Sequence, residues 1–339
     1  MPKRKLLLSL LILLPFPILI ASLFIGTYPI DPLTVLSMIA KRISDPYGAS
    51  PWPEVYDTIV FNVRLPRVLL ALVGGLALSV SGASLQGVFR NPLVDSYILG
   101  VSAGAGLGAA LGIAYLSDVP GSVQALSFTM GFIAFFTTYT VAKSKGETPT
   151  ISLVLAGVIV TALFSALLSI IKFFTEAEKL AGVVYWMMGS LAVTGWGPLS
   201  QAAPLVLLGF AVIFLMRWRI NVLSLGDEEA KALGVNVERD RFIVLLASTL
   251  MVSAFVSVAG IIGWIGLVVP HTVRMLLATP DNRVVIPVSA SLGAVFLMVA
   301  DDLARSVVSF ELPVGVITTL VGAPFFLYLL KMRGGSAWK

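Results

Sequence analysis

The polar side chains that are candidates for chemistry gather in one place. From Ser224 to Arg241 the chain reads Ser-Leu-Gly-Asp-Glu-Glu-Ala-Lys-Ala-Leu-Gly-Val-Asn-Val-Glu-Arg-Asp-Arg, with four carboxylates from Asp227 to Glu238 and Lys231 and Arg239 interleaved. Ser224 followed by Asp227 resembles a capping box, which supplies acceptors to the first free N–H groups of a helix. Gly234 sits where such a helix would end in a left-handed turn. Asn236 is placed to cap a second short turn. Only about two turns of helix fit between these signals, too few to be stable alone, so the helix must rest on something. Two readings stand: a solvated connector, or a docking helix for a soluble partner. Elsewhere chemistry is scarce. His271 is the single histidine and there is no cysteine, so a multi-histidine site, a thiolate site and a disulfide are all excluded. A lone histidine beside Pro270 and Arg274 reads as interfacial, and no metal site is expected. The glycines of residues 75–112 follow no predicted strand and precede no Lys-Ser/Thr, so no nucleotide loop is present and the chain does not hydrolyse nucleotide itself.

The elements that carry the island are membrane helices. The chain of 339 residues is 58% hydrophobic and 12% charged, against about 25% charged for a soluble domain. It is an all-α polytopic membrane protein. Lys3-Arg4-Lys5 precedes an apolar run from Leu6 to Ile25. A run of about 20 residues spans a bilayer, and no Ala-x-Ala cleavage pattern follows, so it reads as an uncleaved first helix. Tyr28 to Val63 reads as an external loop with short helical or interfacial pieces. Further helices are expected near residues 66–89, 96–116, 122–142, 150–171, 198–216, 284–300 and 313–330. Phe242 to Ala278 is one apolar run of about 55 Å as a helix, too long for a core of about 30 Å. It must fold back, and Gly260, Gly263 and Gly266 mark the turn. The total is about ten spans in a single domain covering residues 1–339.

Small residues recur every four positions at Gly75, Ser79, Ala83 and Gly87, and again at Gly100, Gly104, Gly108 and Gly112. Each set gives a flat face on which helix backbones approach closely in lipid. With the N-terminus inside and about ten crossings, inner segments hold 16 of the 23 Lys and Arg residues, in keeping with the positive-inside bias. The island and both termini then lie in the cytoplasm. None of these spans carries an ionisable residue in its middle. An ion-coupled secondary transporter would need one, or a broken helix at mid-depth, and the sequence offers only Gly322-Ala-Pro324. A membrane scaffold or receptor would not need the island.

Within the island, Glu228-x-Ala230-x-x-x-Gly234 is similar to the coupling motif of ABC importer permeases. Longer strings resemble the iron–siderophore, haem and vitamin B12 permease family of type II ABC importers. They are Arg64-Leu-Pro-Arg67, Ser81-Gly-Ala-x-x-Gln86, Asn91-Pro-Leu93, Leu99-Gly-Val-Ser-x-Gly104, Leu155-Ala-Gly-Val158, Gly266-Leu-Val-Val-Pro-His271 and Glu311-Leu-Pro-Val-Gly315. They occur in the family's order over most of the chain.

The resemblance implies ten helices per subunit and a homodimer with the path between subunits, in the cytoplasmic (inner) membrane of a prokaryote. It implies two ATPase subunits inside, which bind the ATP and Mg, and a substrate-binding protein outside. No cofactor or catalytic residue is expected in this chain. The cargo would be a metal chelate or a corrinoid, moved by alternating access along a largely apolar path. By the same resemblance, Leu225, Gly226, Glu228, Ala230, Ala232 and Gly234 couple to the ATPase. Asn91, Leu93, Thr150 and Ile151 form the cytoplasmic gate, although Pro149 and Ser152 depart from the pattern. Arg64, Arg67 and Arg305 stand at external helix ends against the positive-inside bias. Asp301 and Asp302 can neutralise Arg305 at spacings of four and three, and Asp57 is the nearest candidate in sequence for Arg64 and Arg67. The alternative is docking of binding-protein carboxylates, which suits the planar fork of arginine and matches the family's docking positions.

Overall fold

The computed structural model describes residues 2–45, 51–144, 146–192, 195–307 and 310–333. Lys145, Lys339 and part of the 28–63 segment therefore fall outside the described residues. The elements are α1 (Pro2–Leu13), α2 (Pro15–Phe24), α3 (Pro32–Ser44), α4 (Glu54–Asp57), a π-helical stretch (Thr58–Arg64), α5 (Leu65–Phe89), α6 (Val101–Tyr115), α7 (Ser122–Ala142), α8 (Thr150–Phe174), α9 (Ala177–Met187), α10 (Trp196–Leu223), α11 (Asp227–Ala232), α12 (Val237–Ala259), α13 (Ile265–Leu277), α14 (Asn282–Ala304) and α15 (Val314–Arg333). Among the described residues, seven helices are long and apolar enough to cross a membrane, and α6, α13 and the start of α15 are shorter apolar helices. These account for the spans expected from the sequence.

α5 is the centre. It is buried along nearly its whole length and packs against α10, α12, α13 and α14. A helix apolar all round belongs in such a position. The small-residue faces set the contacts. A Cβ on Gly75 would lie 2.1 Å from the Gly293 carbonyl oxygen of α14, and Ser79 donates to Ser289 O at 2.7 Å. The glycines of α6 meet α7 in the same way: a Cβ on Gly108 would lie 2.2 Å from Leu126 O, and one on Gly104 2.4 Å from Met130 O. Without a hydrophobic drive between helices in lipid, this backbone approach supplies the packing energy.

The long run of residues 242–278 breaks as expected, between Ala259 and Ile265, with Trp264 at φ of 74°. The fold also differs from expectation in the following places. Helix begins at Glu54, ahead of the expected start near residue 66, so that α4, the π-helical stretch and α5 run on to Phe89. The expected third helix begins later, at Val101, because residues 90–100 are not helical. Arg90 leaves α5 in the left-handed region, with φ of 53°, and the chain then dips back along α5. Ser96 donates to Leu78 O at 2.8 Å, and Leu78 lies near the middle of α5. α15, finally, runs unbroken through Pro324, so the one break offered by the sequence at Gly322-Ala-Pro324 is absent. The mid-depth breaks are at 90–100 and 260–264 instead.

Candidate functional site

The island forms less helix than its capping signals promise. α11 has six residues, and its N-cap is Gly226 at φ of 139° with no side-chain cap. Ser224 makes no capping box. Its hydroxyl donates back to Asn221 O at 2.6 Å, because α10 continues to Leu223 and claims Ser224 as its own end. Asp227 is turned instead toward Arg241, at 2.6 Å. The C-terminal signal is realised: Gly234 has φ of 77°, and Val235 N donates to Ala230 O at 3.1 Å, the bond of a Schellman turn. Asn236 caps α12, accepting from Arg239 N at 3.0 Å, so it starts a membrane helix and not a second short turn. Ala230 is fully buried while Leu225, Glu228, Ala232 and Gly234 are exposed. Lys231 is exposed and is raised in pKa, chiefly by its hydrogen bond to Glu147.

The expected gate residues converge at this same end. A cavity of about 220 Å³ is lined by Phe89, Asn91 and Val94 together with Thr150, Ile151, Val154 and Leu155. Leu93 is half exposed, and its N–H donates to Asn91 Oδ1 at 2.9 Å, which fixes the turn after α5. A second cavity, of about 390 Å³, joins Thr150 and Ile151 to Arg90 and to Asp227, Glu228 and Glu229 of the island.

At the opposite end of the bundle Arg64, Arg67, Arg305 and Glu311 line one cavity of about 140 Å³. The three arginines are each no more than 4% exposed, so they are not open sockets. Arg67 Nε donates to both oxygens of Asp301 at 3.0 Å, and its Nη1 to Glu311 at 2.9 Å. Arg305 donates to Asp302 and, at 2.8 Å, to Ser22 O, while Ser22 donates to Asp302 at 2.6 Å. Arg64 donates to Leu23 O at 2.9 Å and to Tyr28 O. Asp302 is thus the partner that spacing suggested for Arg305. The partners of Arg67 come from α14 and the segment before α15, more than 230 residues away. Asp57 accepts from Trp52 Nε1 at 3.1 Å.

Two further residues carry roles that the sequence alone does not reveal. Gln86 Nε2 donates at 3.2 Å to Val94 O and to Gly266 O, and its Oε1 accepts from Arg274. It therefore satisfies a carbonyl of the non-helical 90–100 segment and the Gly266 carbonyl in the first turn of α13, which Pro270 leaves without its helical donor, the kind of partnering that tolerates irregular backbone at membrane depth. Asp95 stands beside Ser96 at the mid-depth of α5, partly exposed, and accepts from Tyr97 N at 3.2 Å. Its position is hidden in the sequence because the apolar segment around it reads partly as a helix end and partly as a helix. His271 lies edge-on to Phe326 with ring centroids 6.0 Å apart. Among the described residues no group of three His, Asp or Glu side chains is placed to hold a metal.

A close-packed bundle of long and half-length apolar helices, with a short polar helix at one end, is the architecture of a membrane permease. The FecCD transport family profile matches residues 10–332. The chain is 40% identical to the cobalamin import system permease protein BtuC of Halobacterium salinarum, over 93% of each chain. It is 41% identical to the hemin transport system permease protein HmuU of Yersinia pestis, over 80% of this chain and 83% of that one. It is 36% identical to the molybdate import system permease protein MolB of Haemophilus influenzae, over 98% and 97%. A solved inward-facing conformation of a metal-chelate type ABC transporter superposes with a TM-score of 0.84 at 34% identity, covering 98% of this chain and all of that one. The chain belongs to the FecCD transport family. It is the translocating, multi-pass membrane subunit of an ABC importer, which works with a separate ATPase and a substrate-binding protein.

Proposed function

We propose that two copies of this chain pair around a path for a metal chelate or a corrinoid, and that the island docks on the ATPase in the cytoplasm. The observation that carries the reading is the shared cavity at one end, where Thr150 and Ile151 face Asp227, Glu228 and Glu229. A docking helix beside a gate is what transmission of force requires. The bias of Lys and Arg supports a cytoplasmic island and cytoplasmic termini, in the inner membrane of a prokaryote. Relatives named for cobalamin and hemin support a large chelate as cargo. At the outer end, the binding protein docks around the arginine cavity. Arg64 and Arg305 hold the fold there, and Arg67 exchanges the half-exposed Glu311 for a carboxylate of the binding protein.

The test is uptake into proteoliposomes holding the permease, its ATPase and its binding protein, with labelled cobalamin, haem, a ferric siderophore and molybdate compared. ATP-driven accumulation of one of the first three is the expected result. Accumulation of molybdate alone would overturn the cargo class. For the dimer, Leu93→Cys should crosslink between subunits in at least one nucleotide state, and no crosslink in any state counts against it.

A further inference from the structure

Arg241 is among the largest fully buried side chains, 1% exposed, and it belongs to the head of a membrane helix where an apolar residue would be the cheaper choice. Its Nη2 donates to Asp227 Oδ1 of α11 at 2.6 Å. Its Nη1 donates to Thr148 O at 2.8 Å and to Glu238 Oε1 at 3.1 Å. Glu238 Oε2 in turn accepts from Thr148 N at 3.0 Å and from Thr148 Oγ1 at 2.5 Å. Thr148 is fully buried. On the surface above, Lys231 of α11 meets Glu147 at 2.8 Å. Residues 147 and 148 are therefore held from three sides by α11 and the start of α12.

The chain beyond Thr148 has little slack. Pro149 has a fixed φ and no N–H, and its carbonyl already accepts the first bond of α8, from Leu153 N at 3.0 Å. The next two residues are Thr150 and Ile151, which line both cavities at this end. Charge-assisted hydrogen bonds in a buried site are the strong ones, so this network yields later than its surroundings when force is applied.

We propose that Arg241, Glu238 and Thr148 form a strut that makes α11 and the segment 147–151 move as one body, so that a displacement of α11 carries Thr150 and Ile151 with it. The proposal rests on the island being the ATPase dock. Arg241 and Thr148 are positioning residues: they touch neither cargo nor nucleotide.

Two measurements on the full importer test it. The natural chain has no cysteine, so the double variant Glu147→Cys/Lys231→Cys carries only the chosen pair. The pair is bridged with a short bis-maleimide. If the two elements move together, the bridged importer transports at the rate of the unbridged one. Arrest of transport on bridging overturns the strut, because the elements then slide past each other. In the second measurement Thr148→Val removes the hydroxyl at nearly constant volume. Cargo moved per ATP hydrolysed should fall about tenfold, the factor a hydrogen bond to a charged group represents, and Thr148→Ser should restore it. An unchanged ratio in Thr148→Val overturns the strut. If Thr148→Val does not assemble, the bridged pair decides alone. Capture of the ATPase by a permease with Thr148 and Arg241 intact, read by crosslinking from the single substitution Glu228→Cys, separates the two levels. No crosslink refutes the dock itself, whereas a normal crosslink with an unchanged ratio refutes only the strut.

Discussion

Replacing Arg67 by methionine should unlatch the end of the bundle opposite the island. The guanidinium makes its bonds to Asp301 and Glu311 while 5% exposed, and Asp301 is 1% exposed. Methionine keeps the length of the side chain and removes the charge. Asp301 is then left with Arg305 Nε at 3.7 Å as its nearest cation, a distance too long for a hydrogen bond. Removing one partner of a buried pair costs up to about 3–5 kcal/mol when the other charge stays buried without compensation, and Arg305 at 3.7 Å offsets only part of that. Glu311 is different. Its side chain is 39% exposed, so Glu311→Gln should cost no more than a surface pair is worth, about 0–1 kcal/mol. Thermal unfolding of the detergent-purified permease, read against wild type, measures both. The double variant Arg67→Met/Asp301→Leu should regain much of the loss, since apolar groups of similar size replace a buried pair at little cost. If Arg67→Met is as stable as Glu311→Gln, the latch does not exist. If it is stable and yet no longer captures the binding protein, the arginine serves docking alone. A triple reversal of Arg64, Arg67 and Arg305 to glutamate would not separate these roles, because three buried reversals would disrupt that end whatever the arginines do.

Gly82→Ala should lower the unfolding midpoint by the equivalent of about 1–3 kcal/mol, since its Cβ would lie 1.9 Å from Gly266 O. Gly106→Ala is the control and should be neutral, its nearest neighbour being the Leu168 side chain at 3.6 Å. A Cβ at Gly234 meets no atom within 4 Å, so the cost of Gly234→Val is set first by backbone strain, about 1–2 kcal/mol at a left-handed position. Transport per ATP should fall and the unfolding midpoint should drop by no more than that strain, and an unaltered ratio would count against the coupling role. Asp281 is held at a pKa of about 2, first by its hydrogen bond from Arg283 and also by Asn221. Its folded pKa lies below its unfolded one, so its contribution is full above about pH 4 and fades as pH falls toward 2. Asp281→Asn should therefore flatten the loss of stability in that window, and a curve that parallels wild type would refute the assignment.

Local signals are legible where one stretch of sequence decides the outcome. Small residues four positions apart on residues 75–87 and 100–112 mark the faces that pack, because only their small size matters. The stop at Gly234 and the break between Ala259 and Ile265 follow from backbone freedom and from excess length. What cannot be read is whatever depends on a distant partner. The spacing of Arg67 says nothing of Asp301, 234 positions on. Gln86 looks like any polar residue near a helix end until Val94 and Gly266 bring their carbonyls to it. Ser224 carries a good capping pattern, but α10 outlasts its expected end by several residues and takes that hydroxyl for itself. The 90–100 segment looks like an end plus a helix because its composition is apolar, while its path is set by Ser96 reaching Leu78.

The two mid-depth breaks bear on how the chain enters the membrane. α13 has 13 residues, which rise about 20 Å and cannot span a core of about 30 Å alone. The Gly266 carbonyl, which Pro270 leaves without a helical donor, finds its partner in Gln86 of α5, synthesised 180 residues earlier. During biogenesis this half-helix is thus a poor client for the insertion machinery until α5 is already in place to receive it. Insertion of the second half of the permease becomes an act of assembly onto the first, and a ribosome-tethered chain lacking α5 should fail to hold α13 at membrane depth.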